Sequence, residues 1–217
     1  MTALRPVVTI AAAYGTGGGF VARTVAERLG VGFVDRAIPA SVAAELAERT
    51  EDVLAVEDDL GKGLRHWLTV LVPAGTAWTG ISTPEPAWNL DEASYKEHIA
   101  DVLKREAEQG AVILGRGAAL VLRDHRGALH VRLDGPVERR IAQAIEIGGI
   151  DEHQARRAQH QTDTARHRYV QRLYHTDVAD ARHYHIVIDA TAVPLVTCVE
   201  IILTAVDGGV ELRPLTR

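Results

Sequence analysis

The clearest chemistry in the sequence sits in one short run, Tyr14-Gly15-Thr16-Gly17-Gly18-Gly19-Phe20. The apolar stretch VVTIAAA leads into it, and VARTVAERLG comes after it with Val21, Val25, Ala26 and Leu29 at helical spacing. A strand, a glycine turn and a helix in that order gather main-chain N–H groups into one concavity at a helix N-terminus, and such a concavity attracts phosphate. Glycine allows the close approach. The complete form of such a loop reads G-x-x-x-x-G-K-[ST]: the lysine reaches the β and γ phosphates and the hydroxyl holds magnesium. Gly18 and Gly19 stand in those two places. A glycine cluster without the lysine also serves as a plain tight strand-to-helix turn, so both uses stay open on these residues alone.

The other candidates are charged. Arg116 comes after the apolar run AVILG, at the carboxyl end of an expected strand, where open α/β sheets bind ligands; it suits an anionic group or a neighbouring carboxylate. Asp35 and Arg36 end the run VGFVD, where Asp35 equally fits a helix N-cap. The segment IDEHQARRAQHQTDTARHRYVQRLYHT is rich in Arg and His and poor in large apolar residues, which predicts an exposed helical arm. Its Arg156, Arg157 and Arg166, with Arg140 just ahead of it, read by themselves as a solvated helix face. Asp163 and Arg166 are an i, i+3 pair. Asp134 and Asp189 each end an expected strand and either orient a magnesium through water or cap the next segment.

Three further groups read as structural. His153, His160 and His167 recur every seven residues, but no Cys and no second cluster accompanies them, so no metal site is expected. Cys198, in LVTCVEIIL, reads as a small buried hydrophobe. Trp67, Trp78 and Trp88 read as packing anchors or a contact between subunits, which leaves room for a homo-oligomer.

The elements that must position these residues alternate along the chain. Strands are expected at VVTIAAA, VGFVD, AVILGRG, GALHVRLDG and HYHIVIDAT, with helices after the glycine turn, at LDEASYKEHIADVLKREAEQG, at PVERRIAQAIEIGG and at PLVTCVEIILTAV. That alternation predicts an α/β protein with a mostly parallel five-stranded sheet covered on both faces. The stretch PAGTAWTGISTPEPAWN, at 73–89, is expected to be an ordered loop or a moving flap. A net charge of −5 over 217 residues gives no electrostatic footprint for nucleic acid. No stretch approaches the roughly 18 apolar residues of a membrane span, and the N-terminus lacks a secretory pattern, so a cytoplasmic protein is expected.

Four blocks, taken in order, carry a resemblance. VVTIAAAYGTGGGFVARTVAERLGVGFVDR, AVILGRGA, GALHVRLDGPVERRI and TDTARHRY with HYHIVIDAT are similar to successive segments of the cytidylate-kinase-like family. Members of that family carry a Tyr-Gly-Ser-Gly-Gly turn in place of the lysine-bearing loop. The resemblance implies a three-layer P-loop kinase fold with a helical acceptor-binding insertion and a helical lid. The core would be about 1–36, 97–139 and 177–217, the insertion about 37–96 and the lid about 140–176. It implies ATP-dependent phosphoryl transfer to a nucleoside monophosphate, CMP or dCMP, with Mg2+ as cofactor. Gly15, Thr16, Gly17, Gly18, Gly19 and Phe20 would bind the nucleotide phosphates. Arg116, Arg140 and Arg166 would be catalytic, and Asp35, Arg36, Arg116 and Asp163 would meet the acceptor. The chain departs from the family at Gly19, where a basic residue is usual, and at Leu114, where an acid precedes Gly-Arg. Those departures keep a nucleotide-binding or regulatory protein without the chemistry in play. A fold alone does not select an acceptor, so a kinase of another small metabolite stays in play too; the expected partner is a nucleotide or other small phosphorylated metabolite.

Overall fold

The computed structural model describes residues 5–35 and 92–208. The chain divides into two compact units, Met1–Ala37 with Lys96–Arg217, and Ile38–Tyr95. Arg36, the three tryptophans, the loop at 73–89 and nearly all of the expected insertion lie outside the described residues.

The described elements are β1 (Val7–Ala12), α1 (Gly18–Leu29), β2 (Gly32–Asp35), α2 (Glu92–Gln109), β3 (Ala111–Leu114), the short α3 (Ala118–Val121), β4 (Ala128–Asp134), α4 (Val137–Gly148), α5 (Glu152–Tyr174) and β5 (Ile186–Asp189), closed by α6 (Leu195–Asp207). Five parallel strands form one sheet in the order β2-β3-β1-β4-β5, so the expected parallel α/β sheet is the one that forms. Parallel neighbours need a crossover, and helices supply it. The chain leaves β1 for one edge, returns through β3, and passes to the other side at β4. That change of direction opens a crevice beyond the carboxyl end of β1.

Register fixes what lines the crevice. Ile10 and Asp35 both pair with Leu114, and Asp134 pairs with Asp189, so the strands end together. The glycine turn, Gly115-Arg116, Asp35 and both aspartates therefore emerge along one edge of the sheet.

One face of the sheet is apolar. Val8, Ile10, Leu129, Val131, Leu133 and Ile188 pack against Val21, Ala22 and Val25 of α1 and Cys198, Val199 and Ile202 of α6. Cys198 is buried, in keeping with its apolar surroundings in sequence. The opposite face mixes a second apolar cluster, Val7, Val34, Ala111 and Ile113 under Leu103 and Ala107 of α2, with a polar strip. Alternation in β4 marks Leu129, Val131 and Leu133 as inward and leaves His130 and Arg132 on the other side; both are nevertheless buried. The segment leading to β5 covers them. The His185 ring stacks on His130 with centroids 5.0 Å apart and accepts its main-chain N–H at 2.9 Å. Arg132 donates to the Val178 carbonyl at 2.8 Å and lies over the Tyr184 ring.

His130 shares a 2.8 Å hydrogen bond with Thr9 through Nδ1, while its Nε2 is buried without a hydrogen-bond partner. Burial foremost, then the nearby His185 ring, pushes its pKa down to about 4, against an opposing pull from the Leu122 carbonyl. Between that value and the ordinary 6.5 the unfolded chain binds the extra proton, so stability is lost as pH falls through this window. From pH 7 to pH 4 the protein should lose on the order of 3 kcal/mol more stability than a His130→Gln variant does, read by urea denaturation at each pH. Parallel curves for the two proteins would show that the imidazole is not held neutral.

Candidate functional site

The glycine turn is packed from three sides, and each contact requires the absence of a side chain. A Cβ at Gly15 would lie 2.1 Å from the Arg140 carbonyl oxygen, one at Gly17 would lie 2.5 Å from Leu195 of α6, and one at Gly18 would lie 2.2 Å from the Ala12 Cβ. Gly15 and Gly17 also have φ of 79° and 67°, the left-handed region that glycine enters freely. Gly18 therefore explains itself: the first residue of α1 sits directly on the end of β1, where a lysine would collide with Ala12. Gly17 is the N-cap of α1 and offers no side-chain acceptor to the first turn. Helix geometry leaves the first N–H groups unused, and among the described residues the amides of Gly18, Gly19 and Phe20 meet no acceptor; the first bond of α1 is Val21 N–H to the Gly17 carbonyl, 3.1 Å. Thr16 is buried and turns its hydroxyl back to the Ala13 carbonyl at 2.7 Å. Phe20 is half exposed at the mouth of the turn.

Both main-chain polar groups of Tyr14 are taken by side chains from distant helices. The Tyr14 N–H donates to Asp163 Oδ1 of α5 at 3.0 Å, and Arg140 Nη1 of α4 donates to the Tyr14 carbonyl at 2.9 Å. The same Arg140 nitrogen donates to Asp163 Oδ2 at 2.7 Å, and Arg140 Nε donates to the Gly135 carbonyl at 2.8 Å. Gln159 Nε2 gives Asp163 Oδ2 a further donor at 2.9 Å. Burial alone would raise the Asp163 pKa; the bonds from Tyr14, Gln159 and Arg140, with the Arg140 charge, overcome it and hold the carboxyl below its ordinary value. Arg166, one turn further along α5, donates to the Ala12 carbonyl and lies 3.9 Å from Asp163. Burial foremost, opposed by Asp163 and assisted by the neighbouring Arg132 and Arg140 charges, brings its guanidinium below the ordinary value.

Local sequence explains how α5 delivers these groups. Asp151 and Gln154 form a capping box, with Gln154 N–H donating to Asp151 Oδ1 at 2.8 Å, so the helix start is fixed. Arg140 lies in the first turn of α4, right after Gly135 and Pro136, and is buried. Arg156 pairs with Glu138 and Glu152, both exposed, which is the solvated-face alternative for that residue. Asp134 spends its oxygens on Arg132 and the Gly135 N–H, and Asp189 on Thr191 and Arg139. Each aspartate thus closes its own turn. Among the described residues no three His, Cys, Asp or Glu side chains converge on a point.

Arg116 sits at the far side of the crevice. It is buried and has φ of 60°, between Gly115 at 80° and Gly117 at 64°, so three consecutive residues are left-handed. The Gly115 N–H is held by the Ile10 carbonyl at 2.9 Å, and the Tyr174 ring fills the place where a Gly117 Cβ would stand. A non-glycine residue in this region costs roughly 1–2 kcal/mol, and such strain concentrates at functional sites. Asp35 is exposed at the end of β2. The structure therefore brings the glycine turn, Arg140, Asp163 and Arg166 into direct contact and sets Arg116 and Asp35 along the same sheet edge.

Sequence reasoning missed the Tyr14 clamp and the buried Thr9–His130–His185 strip. The only signal for the first was a buried aromatic opening the turn; for the second it was polar residues alternating with apolar ones in a strand whose two faces are both covered.

A parallel sheet in this strand order, with a glycine turn joining β1 to α1, defines a P-loop kinase-like fold. The sequence profile of the cytidylate kinase-like family matches residues 7–192, and the chain belongs to that family. Its structure is similar to that of an uncharacterized protein from Eubacterium ventriosum ATCC 27560, with a TM-score of 0.61, 20% identity, and 94% of this chain and 99% of that one covered. A shikimate kinase from Acinetobacter baumannii in complex with shikimate (TM-score 0.47, 14% identity, 95% of each chain) and a gluconokinase from Sinorhizobium meliloti 1021 (0.46, 15%, 94% and 92%) align more loosely. At these identities the likeness concerns the fold alone. No curated protein matches the sequence. No described helix is long and apolar enough to cross a membrane.

The strain at Arg116 is measurable. Arg116→Gly should be more stable than Arg116→Ala by about 1 kcal/mol, because only glycine occupies the left-handed region without penalty. Equal stabilities in chemical denaturation would mean that the backbone relaxes and no strain is stored there.

Proposed function

We infer that this chain transfers the γ-phosphoryl group of ATP to a nucleoside monophosphate, with CMP or dCMP favoured. The observation that carries the reading is the turn between β1 and α1: amides without an acceptor at the start of a helix, pinned at one end of a crevice whose other end holds Arg116. Triphosphate oxygens suit the turn, since the amides of Gly18, Gly19 and Phe20 supply donors that meet no acceptor among the described residues. An acceptor phosphate suits the planar guanidinium of Arg116, and the family resemblance assigns Asp35 and Arg36 to the nucleoside. An oxygen of the acceptor phosphate attacks the γ-phosphorus, the bond to the β-bridging oxygen breaks, and ADP leaves while a nucleoside diphosphate forms. Such a transfer needs positioning and neutralisation of charge more than covalent help. Arg166 supplies positive charge near the end of β1.

Magnesium fits this site less well than ATP does. Position 19 has no hydroxyl and Thr16 gives its own to Ala13, so the turn offers the ion no side-chain ligand. The metal would travel on the phosphate oxygens of ATP.

A specific observation favours a second reading. Gly18 cannot carry a lysine without displacing Ala12, so the ammonium that would reach the β and γ phosphates has no place in this packing. A nucleotide-responsive binding protein without turnover would have the same turn. One experiment separates the two: purified protein with magnesium-ATP and a panel of monophosphates, followed by thermal stabilisation and ADP release. The kinase reading expects acceptor-dependent ADP that Arg116→Ala abolishes. Stabilisation by nucleotide without ADP would favour the binding protein, and neither signal with any nucleotide would remove both.

A further inference from the structure

We propose that Asp163 and Arg140 are positioning residues for the donor nucleotide, fixing the direction of the turn's amides rather than touching the acceptor. The inference rests on the ATP reading above and deepens it. Asp163 accepts the Tyr14 N–H and Arg140 donates to the Tyr14 carbonyl, so the two peptide planes on either side of Tyr14 are both fixed. Gly15 comes immediately after, at φ of 79°. A glycine hinge after an unheld peptide would loosen the link between β1 and the start of α1, and ordering it would then be charged against every binding event. The Arg140 main chain completes the clamp by closing on Gly15, where a Cβ would lie 2.1 Å from its carbonyl oxygen.

Two further observations point to the donor rather than the acceptor. Both oxygens of Asp163 are engaged by the chain's own donors, Tyr14, Arg140 and Gln159, which occupies the carboxylate that the family resemblance assigns to the acceptor. A bare carboxylate beside a phosphate turn would also repel the ligand. Arg140 at 2.7 Å and Arg166 at 3.9 Å turn the cluster net positive, so the clamp orders the turn without an electrostatic cost to an anion. Because no ammonium stands at Gly18, affinity for phosphate depends more heavily on amide direction, and the clamp matters more here than beside a lysine. Binding at the turn and docking of α5 are then linked in both directions.

The test compares wild type, Asp163→Ala and Asp163→Asn for ATP dissociation constant, acceptor KM and amide hydrogen exchange across residues 15–20. Asp163→Ala should weaken ATP by about tenfold or more, the loss expected when a charge-assisted hydrogen bond goes, while acceptor KM moves by less than about twofold. Asp163→Asn keeps an acceptor for the Tyr14 N–H and should fall between the two, which a general loss of stability would not reproduce. Turn amides should exchange faster in Asp163→Ala while those of α6 keep their wild-type rates. An unchanged ATP constant in a folded Asp163→Ala protein, or a rise in acceptor KM alone, overturns the inference and returns Asp163 to the acceptor. A wild-type protein that ATP neither binds nor stabilises sinks the functional reading, and this inference with it.

Discussion

Tyr14 gives both of its main-chain polar groups to side chains that arrive 126 and 149 residues later in the sequence, and the rest of the site depends on that exchange. These bonds hold both peptide planes of Tyr14, and packing on Leu195 and Ala12 holds the turn at Gly17 and Gly18. Arg140 contributes twice, through its guanidinium and through the carbonyl that abuts Gly15, so the clamp works by hydrogen bonding and by steric exclusion together. A half-buried carboxylate and a buried guanidinium are each costly when left single; here each is satisfied by the other and by main-chain groups.

The sheet sets the boundary conditions. Parallel strands in register end along one line, and the strand order changes direction at β1, the place where open α/β sheets bind ligands. The glycine turn and Gly115-Arg116-Gly117 both occupy that line, and both use left-handed backbone to turn the chain sharply away from a strand. They are tied directly, since the Gly115 N–H bonds to the Ile10 carbonyl near the end of β1. The glycine turn and Arg116 therefore share the sheet as a base, and Arg140, Asp163 and Arg166 reach the turn from α4 and α5.

The polar strip on the second face of the sheet illustrates a different constraint. Thr9, His130 and Arg132 are buried because the segment before β5 lies across them, and its own main-chain and ring groups answer theirs. Arg132 in turn holds Asp134 at 2.7 Å, and Asp134 fixes the Gly135 N–H whose carbonyl receives Arg140. The buried strip thus reaches the clamp through three consecutive polar contacts.

Local pattern determined much of this. Apolar runs of strand length and apolar residues at helical spacing placed the five strands and the described helices other than the short α3, because those features depend on neighbours within a few residues. The glycine spacing marked the turn for the same reason, and Gly-Arg-Gly marked the end of β3. Tertiary structure alone decided which polar groups meet. Nothing near Tyr14 in sequence announces Asp163 or Arg140, and the i, i+3 spacing of Asp163 and Arg166 suggested only a pair within its own helix; side chains separated by more than a hundred residues leave no periodic trace. The burial of His130 was hidden likewise, since alternation reports which residues face the apolar core and is silent on what covers the other side.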